Sequence, residues 1–313
     1  MRICSFVPGA TEVVASLDVA DHLVGISHEC DFPPSIRQVP VMIEPLVEAH
    51  LTTSLAIDQR VKALVASGSP LYQLNERAFH QARPDVILTQ DLCHVCAVTP
   101  DQLTRAIQLL QSPPEILALS PTTLEDMIQD IERIARSVDQ PERGQALATE
   151  LRRRLNHINQ MNMSRHSRPR VVCLEWLDPL YVAGHWVPEM IDLAGGHDVL
   201  GSKHTPSYET TWRQVETAQP DVVIVMPCGY SVDRTLSELR RVGPVQDTWR
   251  RACEQWPNLY IVDAASYFSR PGPRLVDGVE LLDSILHPSP QHPIDPIKAI
   301  KLEASVLAGG CAS

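Results

Sequence analysis

The stretch ARPDVILTQDLCHVC, residues 82–96, decides how the rest of the chain is interpreted. An apolar run typical of a strand leads directly into a CxxC pair, Cys93 and Cys96, with a histidine between them. A similar phrase, AQPDVVI, occupies residues 218–224 and leads to another cysteine, Cys228. The repetition indicates two related halves, each of which follows a buried strand with a loop that carries sulfur.

Length and charge restrict the class of protein. The chain has 313 residues, of which 44% are apolar, enough to fill the cores of two domains of ordinary size. Its net charge of −11 and pI near 5.5 argue against a nucleic-acid-binding protein, which needs clustered lysine and arginine. No apolar run reaches the ~18 residues that span a bilayer, so we expect a protein that is not inserted in a membrane.

The first residues bear on location and on cysteine chemistry. The start MRICSFVP enters a strand at once, without the charged segment and long apolar segment of a secretory signal. The sequence as given therefore predicts a cytoplasmic protein. In a reducing compartment, its eight cysteines are expected to be thiols or metal ligands rather than disulfides.

Strand and helix patterns alternate in both halves, which indicates an α/β fold built on parallel sheets. An apolar stripe from Leu147 to Met161 predicts a helix of ~20 residues, after which the strand, turn and helix order restarts. We expect an N-terminal α/β lobe over residues 1–140, a connecting helix over 141–165, a C-terminal α/β lobe over 166–288 and a tail over 289–313, either docked or frayed.

Two further helix predictions are local. The spacing of apolar residues predicts a helix from Leu71 to Gln81. Thr122, followed three residues later by Glu125, matches the capping-box pattern and predicts the start of another helix.

Candidate site residues follow the predicted strands. Because ligands bind beyond the carboxyl ends of the strands in an open parallel sheet, these loops are where chemistry is expected. If the two halves face each other, six loops line one cleft: 28–31, 90–96, 175–178, 184–186, 227–230 and 267–270.

Sulfur in these loops is compatible with a metal site. Cys30, Cys93, Cys96 and Cys228, with His28 nearby in sequence, make a sufficient ligand set for tetrahedral zinc or an iron–sulfur cluster. The alternatives are that these cysteines are small core side chains, or that the CxxC pair is a redox pair of the thioredoxin type.

The other candidates suit a flat ligand. Trp176, Trp186, Tyr267 and Phe268 concentrate aromatic rings in three of the loops, although they are equally suited to plugging the gap between the halves. Polar candidates in the same loops are Glu29, Glu175, His185 and Arg270, the last suited to carboxylate or phosphate. The sequence lacks the phosphate-loop, dinucleotide-binding, nucleophile-elbow and HExxH signatures, which favours a binding protein over an enzyme.

At the level of whole motifs, the chain resembles the class III periplasmic substrate-binding proteins, which carry cobalamin, haem or iron–siderophores. The resemblance rests on RICSFVPGATEVVASL near the start, ARPDVILTQ, the single long helix and the closing PRLVDGVELL, and it covers the chain to about residue 288. It implies two Rossmann-like lobes, one rigid connecting helix and a ligand in the shallow cleft between the lobes.

The motifs HECDFP, QDLCHVCAV, EWLDP, AGHWVPE, MPCGY and YFSRPGPR resemble, more narrowly, a branch without export signals that is described as cobalamin-binding. A cytoplasmic protein would not meet the periplasmic face of a permease, so a transporter partner is not expected.

Three hypotheses follow from the sequence. The first is a binding protein that holds cobalamin, another tetrapyrrole or a metal chelate in the interlobe cleft. The second is a cytoplasmic metalloprotein or enzyme with a zinc or iron–sulfur site made by the cysteines. The third is a thiol redox protein.

Overall fold

The computed structural model describes residues 1–47, 53–90, 100–108, 110, 112–165, 167–241, 243–290 and 293–308. The chain forms two compact units. Unit 1 comprises Met1–Thr52, Ala56–Arg152 and Pro271–Pro273, and unit 2 comprises Thr53–Leu55, Arg153–Arg270 and Arg274–Ser313. Each unit therefore includes a short segment whose neighbours in the chain belong to the other unit.

Unit 1 is built around a mixed sheet. Its elements are β1 (Ile3–Ser5), α1 (Pro8–Ser16), β2 (Leu23–Ser27), β3 (Val41–Pro45), α2 (Ser54–Ala66), β4 (Tyr72–Leu74), α3 (Glu76–Ala82), β5 (Val86–Gln90), α4 (Pro100–Gln108), β6 (Glu115–Leu119) and α5 (Leu124–Ser137). Among the described residues the sheet has six strands, in the order β4-β3-β2-β1-β5-β6. Only the pairing of β3 with β4 is antiparallel among these described strands.

The central strands of unit 1 are buried on both faces. All three residues of β1 and the first three of β5 are buried, as expected for parallel strands covered by helices on both sides. The segment predicted as one helix from Leu71 to Gln81 is instead a strand followed by a helix. Leu74 pairs with Ile43 in β3, and Asn75 then caps α3 by accepting a hydrogen bond from the Ala78 amide at 3.0 Å.

The helix α6 (Pro141–Met163) leads the chain from unit 1 into unit 2. The elements that follow are β7 (Arg170–Leu177), β8 (Leu180–Val182), α7 (Val187–Leu193), β9 (His197–Asp198), β10 (Tyr208–Glu209), α8 (Trp212–Ala218), β11 (Val222–Val225), α9 (Val232–Leu239), α10 (Pro244–Gln255), β12 (Leu259–Val262), α11 (Ala264–Tyr267), α12 (Arg274–Leu286), β13 (Ala299–Lys301) and α13 (Ala304–Ala308).

The sheet of unit 2 is also mixed. Its order across the described strands is β10-β8-β7-β11-β12-β13, with β9 paired to β7. The centre, β7-β11-β12, is parallel, whereas β8, β10 and β13 pair in the antiparallel sense. The predicted tail over 289–313 thus contributes an edge strand, because Ala299 to Lys301 pair with β12. The α/β fold predicted from the sequence is confirmed, with antiparallel strands added toward the sheet edges.

The helix predicted to start at Thr122 starts one residue later. Thr123 is the N-cap of α5, and its hydroxyl accepts a hydrogen bond from the Asp126 amide at 2.9 Å. The Asp126 carboxylate in turn accepts bonds from the Thr123 amide and from Thr122. Aspartate at the third helical position therefore closes the capping box, rather than Glu125.

None of the helices formed by the described residues has the length and apolar character needed to cross a membrane.

Candidate functional site

Three loops meet at the carboxyl edge of the parallel strands of unit 2. The Cys228 amide after β11 donates to the Glu175 carbonyl of β7 at 3.0 Å. The Gly229 amide donates to the Ser269 hydroxyl at 3.0 Å, and the Ala265 amide donates to the Tyr230 carbonyl at 3.0 Å. The predicted loop 227–230 is thus joined to β7 by a backbone hydrogen bond and to the predicted loop 267–270 through the Ser269 hydroxyl. Of the predicted loop 175–178, the first three residues form the end of β7 instead.

Trp176 lies at this edge in a fixed orientation. It is half-buried, and its indole N–H donates to the Ser54 carbonyl at 3.1 Å. Its ring meets the Tyr230 ring edge-on, with centroids 5.5 Å apart. A ring held by a hydrogen bond and an aromatic neighbour loses little further entropy when a flat ligand packs against its accessible part.

Tyr230 and Glu238 hold Trp176 and Ser54 in place through a chain of hydrogen bonds and a ring contact. The Tyr230 hydroxyl donates to Glu238 Oε2 at 3.2 Å, and Glu238 Oε1 accepts from the Ser54 amide at 2.6 Å. Burial, partly offset by a hydrogen bond from Arg234, raises the pKa of Tyr230 to about 12. Tyr230 is therefore a neutral phenol near pH 7 and serves as a support rather than as an anionic metal ligand.

Tyr230, Glu238 and Ser54 are not among the site residues predicted from the sequence. Tyr230 was discoverable, since it ends the MPCGY motif beside a predicted strand exit. The role of Ser54 rests on a contact with Glu238, a residue 184 positions away in the chain, and no local pattern predicts such a contact.

Cys228 is the exposed cysteine among those that the structure describes, whereas Cys4, Cys30 and Cys173 are buried and Cys253 is half-buried. Burial raises the pKa of Cys4 to about 12 and that of Cys253 to about 11, and it holds the pKa of Cys173 well above its usual value. Because the thiolate is the reactive and metal-binding form, Cys228 is the described thiol best placed to meet a ligand.

Two of the remaining aromatic candidates of unit 2 lie in its interior. Trp186 and Phe268 are 5% and 3% exposed, and the Trp186 indole N–H donates to the Phe268 carbonyl at 2.8 Å. They hold the loop after β12 in place and offer almost no surface to a ligand. Tyr267 is half-buried, with the cations of Arg274 and Lys298 over its ring at 6.0 and 5.5 Å.

His185 and Arg270 complete the predicted set in unit 2. His185 is half-buried, with its ring 5.8 Å from that of Trp186, and burial lowers its pKa. The imidazole is consequently neutral near pH 7, which is the form that binds metals. Arg270 is buried, at 8% exposure.

The candidates of unit 1 follow β2. Cys30 is buried, and its sulfur lies 3.0 Å from the Thr11 hydroxyl and 3.3 Å from the Ser27 hydroxyl. His28 Nδ1 donates to the Ile43 carbonyl at 3.1 Å, and its Nε2 lies 3.2 Å from the exposed Glu29 carboxylate. The contacts of Cys30 are those of a polar core thiol.

The described residues by themselves do not form the predicted metal centre, two of whose cysteines lie outside them. In the part of the chain that the structure describes, no three His, Cys, Asp or Glu side chains gather closely enough to hold a metal ion. The CxxC cysteines, Cys93 and Cys96, lie outside the described residues.

Comparison with known proteins provides an independent line of evidence. A family model described as "Periplasmic binding protein" matches residues 3–242. A vitamin B12-binding protein of Photorhabdus laumondii is 20% identical over 90% of this chain and 86% of its own length. One from Vibrio cholerae is 23% identical over 89% of this chain and 86% of its own length.

Solved structures show the same fold. The periplasmic vitamin B12 binding protein of Vibrio cholerae superposes with a TM-score of 0.66 at 22% identity, over 91% of this chain and 96% of that one. A periplasmic haem-binding protein of Pseudomonas aeruginosa superposes with a TM-score of 0.70 at 18% identity, over 96% of this chain and 98% of that one.

Proposed function

We propose that this chain, which belongs to the periplasmic binding protein family, binds a corrinoid, with cobalamin as the first candidate ligand. The observation that carries the proposal is its similarity to vitamin B12-binding proteins over 89% to 90% of its length. Because haem-binding proteins share the fold, an iron tetrapyrrole is the ligand class against which cobalamin must be tested.

The contacts that support the proposal all lie in unit 2. A corrinoid is a flat, largely apolar macrocycle around a metal, and such ligands favour rigid aromatic rings with a few polar groups beside them. Trp176 supplies the ring, fixed by Ser54 and Tyr230, and Cys228 supplies an exposed sulfur in the adjoining loop. The cleft between the two halves, expected from the sequence, stays a prediction.

The test is a titration of the purified protein with cyanocobalamin and, separately, with haemin, followed by absorption and calorimetry. We expect cobalamin to bind, and we expect Trp176→Ala to weaken binding by about tenfold or more, equivalent to ~1.4 kcal/mol. Trp176→Phe keeps a ring but loses the bond to Ser54, so its effect should be intermediate.

Trp212→Phe is the matched control, because Trp212 packs against Trp249 and Trp256 in unit 2 and belongs to none of the three joined loops. It should bind cobalamin as the unaltered chain does. Tight binding of haemin without binding of cobalamin would reject the corrinoid and assign an iron tetrapyrrole. A chain that binds neither would reject the proposed function.

A further inference from the structure

Arg2 joins the start of β1 to the start of β5 in unit 1. Its amide donates to Asp85 Oδ2 at 2.7 Å, and its Nε donates to the Ala82 carbonyl at the end of α3 at 2.5 Å. The Asp85 amide returns a bond to the Arg2 carbonyl at 2.8 Å. These bonds fix the amino ends of two central strands against a helix end.

Unit 2 repeats this set of bonds with Arg170 at the start of β7. The Arg170 amide donates to Asp221 Oδ2 at 2.8 Å, and its guanidinium donates to the Ala218 carbonyl at 2.6 Å and the Gln219 carbonyl at 3.0 Å. The Asp221 amide returns a bond to the Arg170 carbonyl at 2.8 Å. The alanine and the aspartate of the repeated phrase, together with the arginine just before or at the start of β1 and β7, are thus structural in both units.

A comparison of equivalent positions in the two repeats shows which residues differ between unit 1 and unit 2. Arg83 and Gln219 occupy equivalent positions, and both adopt the left-handed conformation, with φ of 45° and 48°. Three residues earlier, unit 1 has His80 where unit 2 has Glu216. The fold needs neither Arg83 nor His80 at these positions, because unit 2 forms the same turn with a glutamine and a glutamate.

Arg83 and His80 line an open cavity of about 880 Å³, formed by Arg2, Glu76, Arg77, His80, Gln81 and Arg83. Arg77 and Arg83 are exposed. Across the described residues, neither guanidinium has an ion pair or a side-chain hydrogen bond. Three arginines face a single glutamate here, in a chain whose net charge is −11.

We propose that this cavity binds a small anion with two or more phosphate groups, such as a pyrophosphate or the polyphosphate part of a nucleotide. Guanidinium groups match phosphate oxygens in a bidentate geometry. The volume exceeds that of a single phosphate and falls within the range of small-molecule sites. The site lies at the amino ends of the strands of unit 1, whereas the loops assigned to the corrinoid follow the carboxyl ends of the strands in unit 2.

The experiment is calorimetric titration of the full chain with inorganic pyrophosphate and tripolyphosphate at low ionic strength, and then at higher salt, where binding should weaken. We expect Arg83→Gln and Arg77→Ala each to weaken binding about tenfold or more. Arg83→Gln installs the residue that unit 2 carries in the same backbone conformation, so it should fold normally, as thermal unfolding will verify.

Arg213→Ala is the control, because Arg213 holds on α8 the position that Arg77 holds on α3; it should leave binding unchanged. Absence of binding to both probes would overturn the proposal, as would equal losses in the Arg213 and Arg83 variants. Binding of a single-stranded oligonucleotide without binding of tripolyphosphate would also overturn it and assign the surface to nucleic acid.

Discussion

Cys228 and Trp176 illustrate what the sequence reveals at the scale of single residues. Both lie just beyond a run of four buried apolar residues, 171–174 in β7 and 222–225 in β11, so their position at a sheet edge is predictable from the pattern of buried residues. The burial of Trp186 and Phe268 is not predictable in this way, because it depends on a hydrogen bond between residues 82 positions apart. The local sequence pattern predicts which strand or helix a residue belongs to, whereas its burial depends on contacts with residues far away in the chain.

The exposed sulfur of Cys228 leads to a prediction about the ligand's metal. If aquocobalamin binds beside the loop after β11, the Cys228 thiol should lose its proton and replace the water on cobalt, which would change the absorption spectrum of the bound corrinoid. We expect Cys228→Ser to abolish this spectral change while cobalamin still binds.

Cys253→Ser serves as the control, since burial raises the pKa of that half-buried thiol to about 11. An identical bound spectrum in the Cys228 variant would exclude sulfur ligation and leave the binding proposal standing.

Among the elements, long buried strands and long helices are predictable, and short strands at or near the sheet edges are not. β11 is a run of buried apolar residues and β5 begins with one, which the sequence displays directly. β4, β10 and β13 have two or three residues each and owe their strand conformation to pairing with a neighbour. A pattern of period two needs more residues than these strands contain.

The capping boxes of α5 and α8 make a matched pair that differs in charge. Thr123 pairs with Asp126, and Thr211 pairs with the neutral Gln214. Burial alone would raise the pKa of Asp126, but hydrogen bonds from Thr122 and Thr123 outweigh it and lower the pKa. A carboxyl group whose pKa is lower in the folded state stabilises the protein at pH values above its pKa in the unfolded state, which is about 4. This stabilisation is lost as the pH falls through the pKa of the folded state.

We therefore expect Thr123→Ala to destabilise the protein by about 1 kcal/mol at pH 7, and by less at a pH low enough to protonate Asp126 in the folded state, because the pKa of that carboxyl is lowered. Thr211→Ala should cost about the same at both pH values. Amide hydrogen exchange in the first turn of each helix measures the two effects separately. If the loss of stability in Thr123→Ala did not change with pH, the ionised Asp126 carboxylate would not contribute to the capping box of α5.

The whole molecule combines two units that are not consecutive in the chain. Unit 2 includes residues 53–55, and unit 1 includes residues 271–273. The sequence predicts two halves and a helix between them, because periodicity and the repeated phrase are local signals. It does not predict these short exchanged segments, which carry no periodicity and are recognised only from their contacts.

Because each unit includes a short segment from the part of the chain that forms the other, we expect the protein to unfold in one cooperative transition. The five tryptophans all lie in unit 2, so their fluorescence reports on that unit, while far-ultraviolet circular dichroism reports on both. A Cβ at Gly9 would lie 2.1 Å from the Pro271 carbonyl oxygen, so Gly9→Ala should destabilise unit 1 by about 1–3 kcal/mol.

The two probes should therefore give coincident urea transitions in the unaltered chain, and Gly9→Ala should shift both transitions together. Alanine normally stabilises a helix relative to glycine, so a stabilised variant would contradict the steric argument. Transitions that separate would show that the units unfold independently.

The segment 271–273 also sets the order in which the newly made chain can mature. Residue 152 leaves the ribosome 121 residues before residue 273, which corresponds to roughly 6–24 s at ordinary rates of synthesis. During that interval the amino-terminal half lacks residues 271–273, which pack against Gly9. Completion of the first unit thus waits for most of the second to be translated, and a nascent chain arrested before Pro271 would leave that half open to chaperones and proteases.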